Sequence, residues 1–266
     1  MYPFTFHRPK TVRQAVGLLN KNEDAKLLAG GHTLLPTMKL RLASPAHLID
    51  ISGIEGLSGI ELKGRSIVIG ATTRHAEVAN SPIVREHLPA LAYLAGLIGD
   101  PAVRHCGTIG GSVANNDPSA DYPAACLGLG ATIVTSKRRI KADDFFRGLF
   151  ETALEPDEII TKVMFPLARK AAYEKFRNQA SRYALVGVFV SKRGPEVRVA
   201  VTGAGSNGVF RVTAFEEALK KRFSEKLLEG LSVPADGLSG DIHGSAEYRA
   251  HLIGVLARRA VAKARA

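Results

Sequence analysis

Two glycine pairs carry the residue types and spacing most suited to chemistry in this chain. One lies in Lys26-Leu27-Leu28-Ala29-Gly30-Gly31-His32-Thr33-Leu34, the other in Thr108-Ile109-Gly110-Gly111-Ser112. Each pair is set among apolar, strand-like residues and is followed closely by a hydroxyl residue. A glycine turn after a strand lets backbone N–H groups approach phosphate oxygens with no Cβ in the way. Either pair alone is equally a plain strand-to-helix turn. Two of them, about eighty residues apart, suggest a long diphosphate ligand gripped from two sides. The polar stretch Asn115-Asn116-Asp117-Pro118-Ser119-Ala120-Asp121 follows the second pair. Asp121 offers an acceptor to ribose or ribityl hydroxyls, and Asp117 reads equally as a cap or an Asx turn.

A rival nucleotide signature lies near residue 205. Val197 to Thr202 reads as a strand leading into Gly203-Ala204-Gly205-Ser206-Asn207-Gly208, the spacing of a dinucleotide-binding turn. That fingerprint needs a helix to open at its third glycine, whereas Val209-Phe210-Arg211-Val212 is β-branched or bulky and looks extended. A glycine-rich β-turn is the better reading. The eight histidines fall at irregular spacings that place no ligand pair on one helical face, which argues against zinc. His32 sits inside the first glycine turn, where it shapes the loop or contributes backbone. No nucleophile elbow or Cys/His pairing stands out, so hydrolysis is weakly supported.

The elements that must position these turns alternate along the chain. A helix is expected over 11–22 with Thr11 as N-cap, then a short strand over 25–29. A helix capped by Thr33 should run over 33–42, with Pro36 tolerated in its first turn, followed by a strand over 47–51. From residue 54 the texture changes to strands at 59–62 and 66–70, helices near 73–80 and 85–98, and strands at 131–135 and 159–165. The remainder shows strands at 173–177, 184–191 and 196–202, then helices near 213–222 and 246–264. These signals divide the chain into 1–53, 54–166 and 167–266, an α+β organisation.

Composition narrows the class further. With 266 residues and 45% apolar content, the chain can bury a sizeable core. No stretch approaches the roughly 20 apolar residues of a membrane span, and the opening residues lack a basic segment followed by an apolar core, so a cytoplasmic location is expected. Only Cys106 and Cys126 are present, too few for a protein-held iron–sulfur cluster, which takes about four. Redox chemistry would therefore need an organic cofactor. The net charge of +11 comes from basic residues scattered over turns and helices, with aromatics at 6% and no tryptophan. That distribution speaks against nucleic acid and for a basic surface that docks on an acidic partner.

Taken together, Ala29-Gly30-Gly31-His32-Thr33, Thr108-Ile109-Gly110-Gly111-Ser112-Val113-Ala114-Asn115 and Asp117-Pro118-Ser119-Ala120-Asp121 resemble the FAD-binding medium subunit of molybdenum hydroxylases, the aerobic carbon monoxide dehydrogenase and bacterial xanthine dehydrogenase type. The likeness covers nearly the whole chain. It extends to Pro3-Phe4-Thr5-Phe6-His7-Arg8-Pro9, Arg104-His105-Cys106-Gly107, Asp157-Glu158-Ile159-Ile160, Ala184 to Val188 and Ser245 to Arg249. The resemblance implies a two-lobed FAD-binding domain of vanillyl-alcohol-oxidase (PCMH-like) type and a C-terminal α+β domain with a small antiparallel sheet. It places Lys26 to Leu34 and Thr108 to Ser112 on the FAD diphosphate, Asp121 on a hydroxyl and Ile160 against the isoalloxazine ring. Asn178 stands where some relatives have a polar or basic residue near the flavin. The implied partners are a molybdenum-cofactor large subunit and a 2Fe-2S small subunit, in a heterohexamer of two heterotrimers. In that assembly the flavin collects electrons for an external acceptor. A self-sufficient flavin oxidase or dehydrogenase, and a non-catalytic docking protein, are the alternative classes.

Overall fold

In the computed structural model, which describes residues 1–266, successive chain segments build a three-stranded, a five-stranded and a four-stranded sheet. The first segment contains β1 (Thr5–His7), α1 (Val12–Lys21), β2 (Ala25–Leu28), α2 (Leu34–Lys39) and β3 (His47–Asp50). Its strands are parallel in the order β1-β3-β2. Thr11 caps α1, its hydroxyl accepting from the Gln14 N–H at 3.2 Å. Strand β1 was not expected, since three largely exposed residues show no burial pattern. The expected 33–42 helix is shorter, because the chain turns left-handed at Arg41 (φ 62°). Thr33 stands at the N-cap position in a right-handed helical conformation, and its side chain makes no capping bond.

The second segment runs through β4 (Ile60–Lys63), β5 (Ser66–Gly70), α3 (His75–Asn80), α4 (Pro82–His87), α5 (Pro89–Gly96), α6 (Pro101–Cys106), α7 (Ile109–Asn115) and α8 (Tyr122–Leu129). It ends with β6 (Thr132–Thr135), β7 (Arg139–Lys141), α9 (Ala142–Phe145), β8 (Phe146–Gly148), β9 (Glu151–Thr152) and β10 (Ile160–Pro166). The antiparallel order is β4-β5-β10-β6-β7. The helix expected over 85–98 is two helices, broken at Leu88 (φ −150°). Pro89 imposes that break: it excludes helical geometry at the residue before it and supplies no N–H. The second glycine pair is likewise not in a strand. It forms the first turn of α7, which Thr108 caps by accepting from the Gly111 N–H at 3.2 Å. Buried Ile109 and Val113, one helical turn apart, anchor this helix.

The third segment holds β11 (Lys170–Arg177), β12 (Ala184–Arg193), β13 (Glu196–Thr202), β14 (Phe210–Arg211), α10 (Thr213–Lys221) and α11 (Ala246–Arg265). No helix opens at Gly208. Gly203 (φ 83°) and Gly208 (φ 96°) turn the chain between antiparallel β13 and β14, so the dinucleotide spacing there is a β-turn. The sheet is buried on both faces. Val186, Val188 and Val190 pack with Leu252, Ile253 and Leu256 of α11, while Tyr173 and Phe189 join the core beneath α8.

One close approach sets the depth of that second contact, and another lies within the sheet itself. A Cβ on Gly128 would lie 2.6 Å from the Phe189 ring, and one on Gly187 would lie within van der Waals contact of the Tyr173 hydroxyl. The first and second cores meet at one point of the chain. Ile159 belongs to the core with Ile49, Ile51 and Ile54, and its neighbour Ile160 belongs to the core of the second segment. No helix is long and apolar enough to cross a membrane. Gly187→Ala should destabilise the protein by about 1–3 kcal/mol, the usual cost of overpacking. The check is the urea midpoint at constant m-value; an unchanged midpoint would show that Tyr173 can move aside.

Candidate functional site

The site starts at the end of β2. After Leu28 the chain turns through Gly31 (φ 71°) into α2, with the Leu35 N–H donating to Gly31 O at 3.1 Å. None of the five backbone N–H groups from Gly30 to Leu34 meets an acceptor within the fold. His32 and Thr33 are exposed, so these donors line an open surface. Clustered, unpaired N–H groups at a left-handed turn form a nest for an anion.

The second turn lies directly alongside. A Cβ on Gly30 would sit 2.3 Å from Cys106 O and 2.8 Å from Gly107 Cα, so backbone packs on backbone with no room for a side chain. The second turn is sewn to the strand side of its own segment. Ile109 N donates to Thr73 O at 3.0 Å, Gly110 N to Ala71 O at 2.8 Å, and His75 N to Gly107 O at 2.9 Å. A Cβ on Gly110 would meet Ala71 Cβ at 2.6 Å. Gly111 differs. It is exposed, and a Cβ there would meet only the Thr108 hydroxyl, at 2.9 Å. Of the four paired glycines, Gly30 and Gly110 serve close packing, Gly31 serves conformation, and Gly111 leaves open the space in front of the turn.

The remaining expected residues lie behind this surface. Ile160 is buried and connects through its neighbour, since Ala71 N donates to Thr161 O at 2.9 Å in the same seam that holds Gly110. Asp121, at the start of α8, is buried with both carboxylate oxygens engaged. One accepts from the Tyr173 hydroxyl and the other from Lys175 Nζ at 2.9 Å. Burial raises its pKa, while the Lys175 charge and the Tyr173 bond pull it down. Asp117 forms an Asx turn, accepting from Ser119 N at 2.8 Å, one of the two readings open for it. Asn178 lines a cavity of about 390 Å³ with Asp117, Ser119, Tyr183 and Arg249.

The structure adds two residues that the sequence reading passed over. The His75 ring lies against Gly107, where a Cβ would meet its Nε2 at 2.6 Å, and is tilted against the buried Tyr122 ring, with centroids 5.3 Å apart. Both His75 Nδ1 and the Tyr122 hydroxyl are buried without a hydrogen-bond partner. Burial, with help from His32 and Arg104, lowers the His75 pKa to about 4, so the ring is neutral at pH 7. Nothing in the spacing of the histidines marks this one, because its contacts are made across the fold.

Two adjacent backbone turns, one with open N–H groups and the other with open space at Gly111, form a surface suited to an anion. The family model of the FAD binding domain in molybdopterin dehydrogenase matches residues 2–168, and that of the CO dehydrogenase flavoprotein C-terminal domain matches residues 171–264. The chain belongs to this family of molybdenum-hydroxylase flavoproteins. It is 38% identical to the carbon monoxide dehydrogenase medium chain of Hydrogenophaga pseudoflava, over 97% of this chain and 96% of that one. It is also 38% identical to the nicotine 6-hydroxylase medium subunit of Paenarthrobacter nicotinovorans, over 96% and 95%. The fold matches that of carbon monoxide dehydrogenase from Hydrogenophaga pseudoflava lacking the Mo-pyranopterin moiety, with a TM-score of 0.89 at 38% identity, covering 100% of this chain and 99% of that one. It also matches quinoline 2-oxidoreductase from Pseudomonas putida 86, with a TM-score of 0.88 at 25% identity, covering 99% and 98%. The α+β fold expected from the resemblance is the one these chains share.

The four glycines should separate on mutation. Gly111→Val should keep its circular dichroism and lose FAD retention, whereas Gly30→Ala should lower the melting temperature because the two turns must part. Normal FAD content in folded Gly111→Val would move the ligand elsewhere. His75 has its own signature. A histidine held neutral by the fold takes up its proton more readily when unfolded, so stability should fall as pH drops from about 6.5 towards about 4. Melting curves across that range should show this fall, and His75→Phe should flatten it.

Proposed function

We propose that this chain is the FAD-carrying subunit of a molybdenum-containing hydroxylase or dehydrogenase complex. In this reading it accepts electrons from iron–sulfur clusters on a small subunit and passes them to an external acceptor. A large subunit holding the molybdenum cofactor would oxidise the substrate, and two such heterotrimers would pair. The carrying observation is the row of unpaired N–H groups from Gly30 to Leu34, on a turn packed against the Cys106–Gly107 backbone that leads into the second glycine turn. Full-length similarity to medium chains of multi-subunit oxidoreductases supports the same reading. A cytoplasmic location belongs to it, in keeping with two free cysteines.

Bound FAD would supply the electron-accepting and electron-donating chemistry itself. This chain's part is to hold and orient it. The N–H groups of the first turn neutralise the diphosphate by aligned dipoles, with exposed Lys26 adding charge at the edge. Thr108 fixes the second turn by capping α7, which keeps Gly111 facing the ligand and leaves the Ser112 hydroxyl beside it. Ile160 presents the apolar end of β10 to the ring side. Asp121 is expected on a ribose or ribityl hydroxyl, but both its carboxylate oxygens are engaged by Tyr173 and Lys175, so we assign it instead the role of a buried strut that holds the start of α8 against the C-terminal sheet.

The test is the visible spectrum of the purified chain, as isolated and after FAD addition and gel filtration, with acid release to identify the nucleotide. The expected result is FAD at about one per chain, retained at least by the co-expressed complex. A co-expressed complex that assembles yet carries no FAD would overturn the reading.

A further inference from the structure

Helix α6 leads into the second glycine turn and has no apolar anchor. It has six residues, and none of them is buried. A helix this short does not hold itself, so polar contacts must fix it. At its start Pro101 opens the helix and Asp100 caps it, accepting from Val103 N at 2.9 Å. Its side-chain hydrogen bonds to other parts of the fold come from Arg104. The Arg104 Nη1 group donates to Ile98 O at 2.9 Å and to Gly99 O at 3.0 Å, carbonyls just past the end of α5.

The same stretch is gripped from the C-terminal sheet. Lys175 of β11 donates to Leu97 O at 3.3 Å, and Arg182, in the turn from β11 to β12, donates to Gly99 O at 3.4 Å. Lys175 is also paired with buried Asp121. Carbonyls at the end of a helix carry partial negative charge, so cations gathered there are favourable. The end of α5 is thereby fixed to the third segment, and Arg104 extends that fixed point to α6.

What α6 delivers is the wall behind the first turn. Its last residue is Cys106, whose carbonyl, with Gly107 Cα, leaves no room for a Cβ on Gly30. Gly107 N closes the helix by donating to Val103 O at 2.8 Å, and Gly107 O accepts from His75 N at 2.9 Å. The Arg104 charge is felt here: after burial and His32, it helps to lower the pKa of His75, whose ring lies against Gly107. Any displacement of α6 moves the surface on which Gly30 and its unpaired N–H groups rest. We propose that Arg104 is a positioning residue for the FAD diphosphate: by clamping α6 to the end of α5, it sets the Cys106–Gly107 backbone against which Gly30 packs. This rests on the function proposed above.

The experiment uses the co-expressed complex depleted of FAD. Arg104→Gln, Gly30→Ala and the double variant are titrated with FAD, and amide hydrogen exchange is followed by mass spectrometry in peptides covering 104–112 and 184–193. Arg104→Gln should weaken FAD binding about tenfold, the scale of a lost hydrogen bond from a charged group. It should also speed exchange over 104–112 and leave 184–193 unchanged. The double variant should bind FAD no more weakly than the weaker single variant, because both changes act on one contact. Fold-losses that multiply in the double variant, exchange that rises equally in both peptides, or unchanged FAD affinity would each overturn the assignment. Arg104→Lys keeps the charge and loses the planar fork. It should show the same changes to a smaller extent, and it carries the test if Arg104→Gln does not fold. Exchange is read without FAD, so a wild-type complex that binds none would refute the flavoprotein reading, while faster exchange over 104–112 would still uphold the clamp.

Discussion

The approach of Gly30 to the Cys106–Gly107 backbone is the contact on which the rest of the site depends. Two pieces of main chain from different lobes touch there with no side chain between them, a fit that only glycine permits. That contact sets the first turn, with its unpaired N–H groups, beside the second. The second turn is in turn fixed by Thr73 and Ala71, and through Ala71 to Thr161 of β10. The first turn therefore rests, through a packing contact at Gly30, on a run of hydrogen-bonded backbone in the second segment. Rigidity of this kind suits a site whose donors must be aligned before the ligand arrives.

The two turns look alike as strings of residues and do different work. The first presents donors. The second spends most of its donors on the fold and contributes an edge, a hydroxyl pair and the gap at Gly111. Behind it, His75 and Tyr122 are buried with polar atoms unsatisfied, a cost of about 1–3 kcal/mol for each such group. Groups left in that condition at the back of a binding turn mark where the fold has yielded stability to shape. Asp121, Tyr173 and Lys175 perform the opposite service, a fully paired polar cluster that joins α8 to the C-terminal sheet.

Much of this was legible in the residues, and the failures have physical causes. The β2 strand and its glycine turn are legible because an apolar run ends at a glycine pair, and β12 and β13 because valine recurs at alternate positions along each. The second glycine pair reads as a phosphate-binding or plain strand-to-helix turn, and the structure sets it in the first turn of α7 although Thr108-Ile109 has the β-branched look of a strand. What makes it helical is the Thr108 cap and the burial of Ile109 and Val113, which only tertiary packing decides. The break at Pro89 was written in the sequence and underweighted. Strand β1 carried no burial pattern at all, because its aromatic side is left outside the fold. The Asp121–Lys175 pair spans more than fifty residues, and no local spacing announces a contact of that length.

Gly187 bears on which pairing of β11 and β12 can form. In the native register Glu174 lies opposite Val188, Lys175 opposite Gly187 and Phe176 opposite Val186, and the void above Gly187 receives the Tyr173 ring. Sliding β11 by one residue would exchange the side chains it gives to the two buried faces, and sliding it by two would bring Leu185 or Phe189, in place of Gly187, into the space that the ring requires. The missing side chain therefore works as a keyway. It rejects slipped pairings of β11 and β12.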